Sequence, residues 1–437
     1  MCRISRAGSV TFLLLYTVFL CSATVAAQQP QQVDPSSVSI DFSCAGYRGG
    51  DAQLPRVPAV LLVRPGGGDD TRLLQGALDY IGSLPARPDG FRGALQLAAG
   101  RFNVSGQLIL DKSGVVVRGS TGKTATTIVA TGTDRRSLIR IGSAQDTFAT
   151  GETLQVTDLL VPAGSRRLTL ERTGGIRVGD HLVITRPSPA NWIADLGMNK
   201  AEGMFAGYRG LQWPAGSREL VWDRVVTAMD SAKKWILLDA PVTTPLRQQY
   251  GGATVRVMAS PPPHSIGIEG LTIESAYDPA NRFDEEHAWT GIRINYAEQV
   301  WVRGVTARHF AGSAVRIAQR ARCVTVVDCR CEQPIAECAG YRRHNFLVEG
   351  QQVLVQRCVS DSGMNDFATG FCAAGPNVFL DCTALHALGA SGSFESWASG
   401  VLYENVRIGG LPCSLPMIST GRRAAAGRQP IPLSGTL

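Results

Sequence analysis

Residues 324 to 331 read VTVVDCRC, and five further segments fall on the same template: IGIEGLTI from Ile266, VWVRGVTA from Val300, VLVQRCVS from Val353, NVFLDCTA from Asn377 and VLYENVRI from Val401. Each segment is apolar at its third and sixth places. The sixth places are Leu271, Val305, Cys329, Cys358, Cys382 and Val406, which step by 34, 24, 29, 24 and 24 residues. A recurring period near 24 marks stacked structural units. Alternation and β-branched residues make each unit strand-like rather than helical. A second short strand accompanies them: GIRIN at Gly291, AVRIA at Ala314, NFLVE at Asn345 and TGFCA at Thr369. Two or three short parallel strands per turn, each paired with its counterpart one turn later, predict an all-β chain folded as a right-handed parallel β-helix. Equivalent positions then stack about 4.8 Å apart. Cys329, Cys358 and Cys382 become an interior ladder of small apolar fillers.

Outward from this core, GALQLAAGRFNV at Gly93 and GVVVRGS at Gly114 match the first turns. Residues 150–262 break the period. Their hairpin-like alternation, with Trp192, Trp213, Trp222 and Trp235, predicts a small β-rich insertion closed by Pro261, Pro262 and Pro263. Ahead of the first turn stands RPGGGDDTRLLQGALDY, residues 64 to 80. Leu73, Leu74, Ala77, Leu78 and Ile81 fall on one helical face, with Asp70 or Thr71 at the N-cap. An open stack exposes a bare core and an unpaired edge, and a helix laid across it from about Asp70 to Ser83 covers both.

The amino terminus, MCRISRAGS followed by VTFLLLYTVFLC, reads as a secretory signal cleaved near Ala27. The expected organisation is a signal peptide over 1–27, an N-terminal segment over 28–63 and a cap with first coils over 64–149. The insertion over 150–262, coils over 263–410 and an irregular tail over 411–437 complete it. Export makes nucleic acid an unsuitable partner and leaves no membrane attachment after cleavage. The formal charge of +7 in a chain only 18% charged suits an anionic glycan. A monomer, secreted or extracellular (periplasmic in a bacterium), is the expected state. Cys323, Cys329, Cys331 and Cys338 lack metal-ligand spacing, and Cys331 and Cys338 flank a turn that a disulfide could close.

GGGDDTRLLQGALD, GALQLAAGRFNV and GVVVRG together resemble the amino-terminal part of the pectate-lyase-superfamily, or pectin-lyase-like, β-helix proteins. The likeness covers residues 60 to 130 by motif and 264 to 408 by repeat, leaving the insertion unexplained. It implies a carbohydrate-active scaffold that hosts lyases, hydrolases, epimerases and phage tail proteins, commonly acting on acidic polysaccharides. The tail from Leu411 departs from that pattern, in which further coils and a carboxy-terminal cap follow.

Each second strand is preceded by a polar turn: DEEHAW with His287, ARHFAG with His309, GYRRHN with Tyr341 to His344, and GMNDFA with Asp366. Stacking gathers these turns along one edge, which reads as a groove. Cleavage of a uronate by β-elimination needs a base for the C5 proton, a cation for the enolate-like intermediate and an acid for the leaving oxygen. Tyr341, Arg343 and His344 are the expected catalytic residues. His344 or Tyr341 would move protons, and the Arg343 guanidinium would hold the substrate carboxylate. His287, His309, Arg342 and Asp366 are the expected substrate-binding residues. Asp284, Glu285 and Glu286 offer oxygens for calcium, although such an ion needs six or more from several turns. Two other readings stand beside the lyase: a glycoside hydrolase using Asp366 with Glu286, and a glycan-binding or adhesion module without catalysis.

Overall fold

The fold is described from a computed structural model covering residues 39–410 apart from 51, 123–124, 145–150, 200–211 and 395. The expected signal segment and tail lie outside the described residues. Among the described residues, the six segments that share the template occupy consecutive parallel strands. The register runs Ile266, Val300, Val324, Val353, Asn377 and Val401. They belong to sheet A, nine parallel strands beginning with Ala59–Val63, Gly93–Leu97 and Val115–Arg118 and ending with Val401–Glu404. Sheet B has eight strands, from Gly100–Val104 to Arg407–Ile408. Sheet C has seven, starting at Leu108–Leu110 and Ser137–Ile141. One coil contributes a strand to each sheet in turn.

The corner from sheet A to sheet B is a single left-handed residue. Gly270, Gly304, Asp328, Arg357, Asp381 and Asn405 hold it with φ between 49° and 61°. Glycine, asparagine and aspartate tolerate that conformation best, which explains why the fifth place of the template is so often one of them. The next residue is turned inward. Cys329, Cys358 and Cys382 are therefore buried to 2% exposure or less, and their thiols donate to the carbonyls of Val302, Val326 and Val355 on the preceding coils. All eight described cysteines are free thiols, Cys331 and Cys338 included, so the turn between those two is not closed by a disulfide.

The helix Thr71–Ser83 covers the first coil as its periodicity predicts, burying Leu74, Ala77, Leu78 and Ile81 with Leu95, Leu97, Leu108 and Leu110 in one core. Its capping differs from expectation. Asp70 occupies the N-cap, but its carboxylate accepts from Gly66 and Asn103 rather than from the helix. Asp69 accepts from the Thr71 amide and hydroxyl and from both donors of Ser105. The GGGDDT run thus pins the helix to the first strand of sheet B.

Two further layers close the outside of sheet A. Residues 42–50 and 52–57 lie across it, and the indole of Trp301, fully buried, packs edge-on between Tyr47 at 5.2 Å and Phe91 at 5.9 Å. The insertion forms a six-stranded antiparallel sheet between Leu154 and Val257 whose core holds Trp192, Trp213 and Trp222 with Ala374 and Trp397 from the last coils. A buried charge network joins it to the coils. Arg224, fully buried, donates to the carbonyls of Asp223, Ala240, Pro241 and Gly375 and to the Gln351 side chain, while Arg320 and Arg322 meet Asp223 at 2.7 Å and Asp239 at 2.5 Å.

Candidate functional site

Strand alternation sends Ile139, Ile292, Val315 and Phe346 into the core and their successors outward. On the outer face of sheet C the register therefore reads Ile109, Arg140, Arg293, Arg316, Leu347 and Ala368. Three arginines occupy consecutive coils, about 4.8 Å apart at the backbone. Arg316 is neutralised by a two-pronged pair with Glu349 at 3.1 and 2.9 Å, and Arg140 donates to the Gly142 carbonyl at 2.7 Å. Among the described residues Arg293 makes no ion pair and donates no hydrogen bond. Burial first, and then repulsion from Arg316, lowers its pKa below the usual arginine range. A half-buried guanidinium flanked by two others, its charge offset only at a distance by Glu349, is a seat for an anion.

Next to this column stands a patch of rings. Phe394 meets His344 edge-on at 4.4 Å, Tyr341 lies 6.3 Å from His344 and 5.8 Å from Phe371, and Phe371 and Phe394 cross at 5.6 Å. His344 is 5% exposed, and its Nδ1 has no partner. Burial, reinforced by the Arg316 charge, lowers its pKa to about 4, so the imidazole is neutral at physiological pH. Tyr341 is exposed. A neutral, buried imidazole and an exposed phenol thus stand beside Arg316 at the end of the cationic column.

The other expected site residues fall elsewhere. Arg343 sits in the left-handed region, φ 57°, and its guanidinium is spent on the carbonyl of Ala336 at 2.7 and 3.2 Å. It fixes its own loop rather than facing solvent. Arg342 chelates Glu285 at 2.6 and 2.9 Å and lies over Trp289, which Arg135 also covers. His287 is buried, bridging Ser275 and the carbonyls of Asp284 and Ile335, while His309 packs edge-on against Tyr277 at 4.9 Å. Asp366 is fully buried beneath Ser360, Gly363 and Asn345, and burial raises its pKa. Glu286, its expected hydrolase partner, pairs with Arg135 at the surface. Asp284 accepts from the amides of Asp278 and Glu286, while Glu285 pairs with Arg342 and shares Arg135 with Glu286, so the three neighbouring acids are taken up by protein donors.

The sheet C strand of the next coil is Phe367–Thr369 rather than the expected TGFCA. Phe346 pairs with Phe367, four residues before Phe371, and Phe371 belongs to the outer ring patch. Arg140, Arg293 and Arg316 were legible as the repeated fourth residue of SLIRI, TGIRI and SAVRI.

Three parallel sheets, each strand followed in register by its counterpart one coil on, decide the architecture. The chain is a right-handed parallel β-helix. No family model matches the sequence, and no curated protein matches it. Among solved structures, this β-helix is similar to the tailspike protein gp49 of Pseudomonas phage LKA1 (14% identity, TM-score 0.39), with 78% of this chain and 57% of the tailspike covered. It is also similar to PfbA, a surface adhesin of Streptococcus pneumoniae (12% identity, TM-score 0.40), with 79% of this chain and 60% of the adhesin covered. A polygalacturonase from Erwinia carotovora ssp. carotovora matches at 11% identity and TM-score 0.35, with 82% of each chain covered. The chain thus spans less than two thirds of the tailspike and of the adhesin. No described helix is long and apolar enough to cross a membrane.

Proposed function

We propose that this β-helix acts outside the cell on an acidic, uronate-containing polysaccharide bound along the outer face of sheet C, and that it cleaves the chain by β-elimination. The observation that carries the reading is the column Arg140, Arg293 and Arg316, with Arg293 engaged in no direct ion pair. A carboxylate bound there is met by a guanidinium fork that no protein carboxylate occupies directly. In this scheme Arg293 takes the role that the sequence suggested for Arg343. It withdraws charge from the C5 carboxylate and lowers the cost of its enolate-like intermediate. His344, neutral and with Nδ1 unpaired, abstracts the C5 proton, and Tyr341 protonates the leaving oxygen. Aromatic rings of Tyr341, Phe371 and Phe394 give the apolar faces of the sugars a surface to rest on.

One feature favours a second reading, binding without cleavage: His344 is almost wholly covered, and a base must reach its proton. Titration of polygalacturonate, alginate and hyaluronate into the wild-type chain and into Arg293→Ala tests the groove common to both readings. Binding of at least one polymer, weakened at least about tenfold by the substitution, supports it. Binding indifferent to Arg293, or none at all, removes the groove.

A further inference from the structure

Arg140 belongs to two features at once, being the first cation of the column and part of the lining of a cavity of about 670 Å³. On its far side the register continues to Ile109, on the terminal strand of sheet C, so the column of charge ends at Arg140. The cavity opens there. Its wall is formed by Arg92, by Asp111 and Lys112 just past the strand Leu108–Leu110, and by Pro261 to Pro263 with His264. It is an open cleft rather than an enclosed chamber, with a volume comparable to that of clefts that take small organic ligands.

The lining is cationic, with Arg92, Lys112 and Arg140 against the single acid Asp111. Two of the cations are held in place: Arg92 donates to the carbonyls of Leu84 and Ser113, and Arg140 to that of Gly142. Lys112 is 3.4 Å from Asp111 and largely exposed, so it can swing toward a bound anion. The prolines make the opposite wall rigid, since their φ is fixed and they carry no amide donor.

We infer that this cavity receives the terminal uronate of an acidic polysaccharide whose next sugars lie along Arg140, Arg293 and Arg316, so that the protein engages chain ends rather than chain interiors. The inference rests on the groove reading above and adds a terminus to it. A polymer continuing past the cations of the cavity meets the rigid wall of Pro261 to Pro263.

The test titrates galacturonate, oligogalacturonates of defined length and polygalacturonate into the full chain. Alginate and hyaluronate fragments follow in the same way, and all probes are repeated with Lys112→Glu and Arg293→Ala. Lys112 is exposed and its replacement leaves the coils intact, which a melting curve verifies. Expected is one protein per polysaccharide chain at every length, with affinity reduced about tenfold by Lys112→Glu for the single sugar and the oligomers alike. Arg293→Ala should weaken the oligomers and leave the single sugar unaffected. A number of bound proteins that climbs with chain length, or Lys112→Glu without effect, overturns the end-receptor while leaving the groove standing. Lys112→Glu effective but Arg293→Ala silent on the oligomers overturns the groove instead. No binding of any probe to the wild type overturns both.

Discussion

Arg293 and Arg316 stand side by side at one register position of sheet C, yet only Arg316 is met by a carboxylate, that of Glu349. The two should therefore respond oppositely to removal. Arg293→Met relieves repulsion and should hold or raise the melting temperature while weakening binding of acidic glycan. Arg316→Met leaves Glu349, whose side chain is 3% exposed, without its partner. It should cost roughly 2–3 kcal/mol, less than a fully buried pair because Arg316 is partly solvated. Equal stability changes in the two variants, measured by urea unfolding, would remove the asymmetry.

His344 predicts a pH dependence of definite sign. Its folded pKa, about 4, lies below the ordinary histidine value of 6.5. The folded state thus prefers the neutral ring, and the stability this gives is complete above pH 6.5 and lost as pH falls toward 4. Asp366, with its pKa raised by burial, works the other way in the acid range. The melting temperature of the wild type should fall between pH 7 and pH 4.5, and His344→Asn should flatten that decline. An unchanged slope in the variant would show that the ring is not held in a dry, cationic site.

Leu78, on the buried face of the capping helix, is 4% exposed. Leu78→Asp places an unpaired carboxylate against the bare end of the core and should destabilise the chain by about 3–5 kcal/mol. An unaltered urea midpoint would mean that the helix does not seal the first coil.

Gly267 and Trp301 are register partners in sheet A, and a Cβ on Gly267 would stand 2.3 Å from the indole. Gly267→Ala should cost about 1–3 kcal/mol by overpacking. In a Trp301→Leu background that penalty should shrink, as expected of coupled neighbours. A penalty equal in both backgrounds would separate the two residues.

The coils were readable because a buried strand leaves a periodic trace. The template at Val300, Val324 and Val353 records inward positions, and the glycines and acids before its sixth place record a left-handed corner. The helix was readable from Leu74, Ala77, Leu78 and Ile81, whose spacing has one geometric meaning. Two features of the site were not. Whether a polar side chain faces solvent or a loop carbonyl depends on loop conformation, so YRRHN alone does not reveal that Arg343 turns to Ala336 and His344 is covered. The short strand Phe367–Thr369 was misregistered because TGFCA offered an equally apolar frame four residues on. The arginine column lay in plain view, as charges at one strand position three coils running.

The most direct test of the central claim is the ultraviolet absorbance of unsaturated uronate, followed while the folded wild-type chain and Arg293→Ala are each incubated with polygalacturonate, alginate and hyaluronate over a range of pH. The account predicts a rising signal from the wild type on at least one polymer and none from Arg293→Ala. A wild-type chain that binds such a polymer and yields no unsaturated product at any pH would contradict β-elimination and leave the groove as a recognition surface.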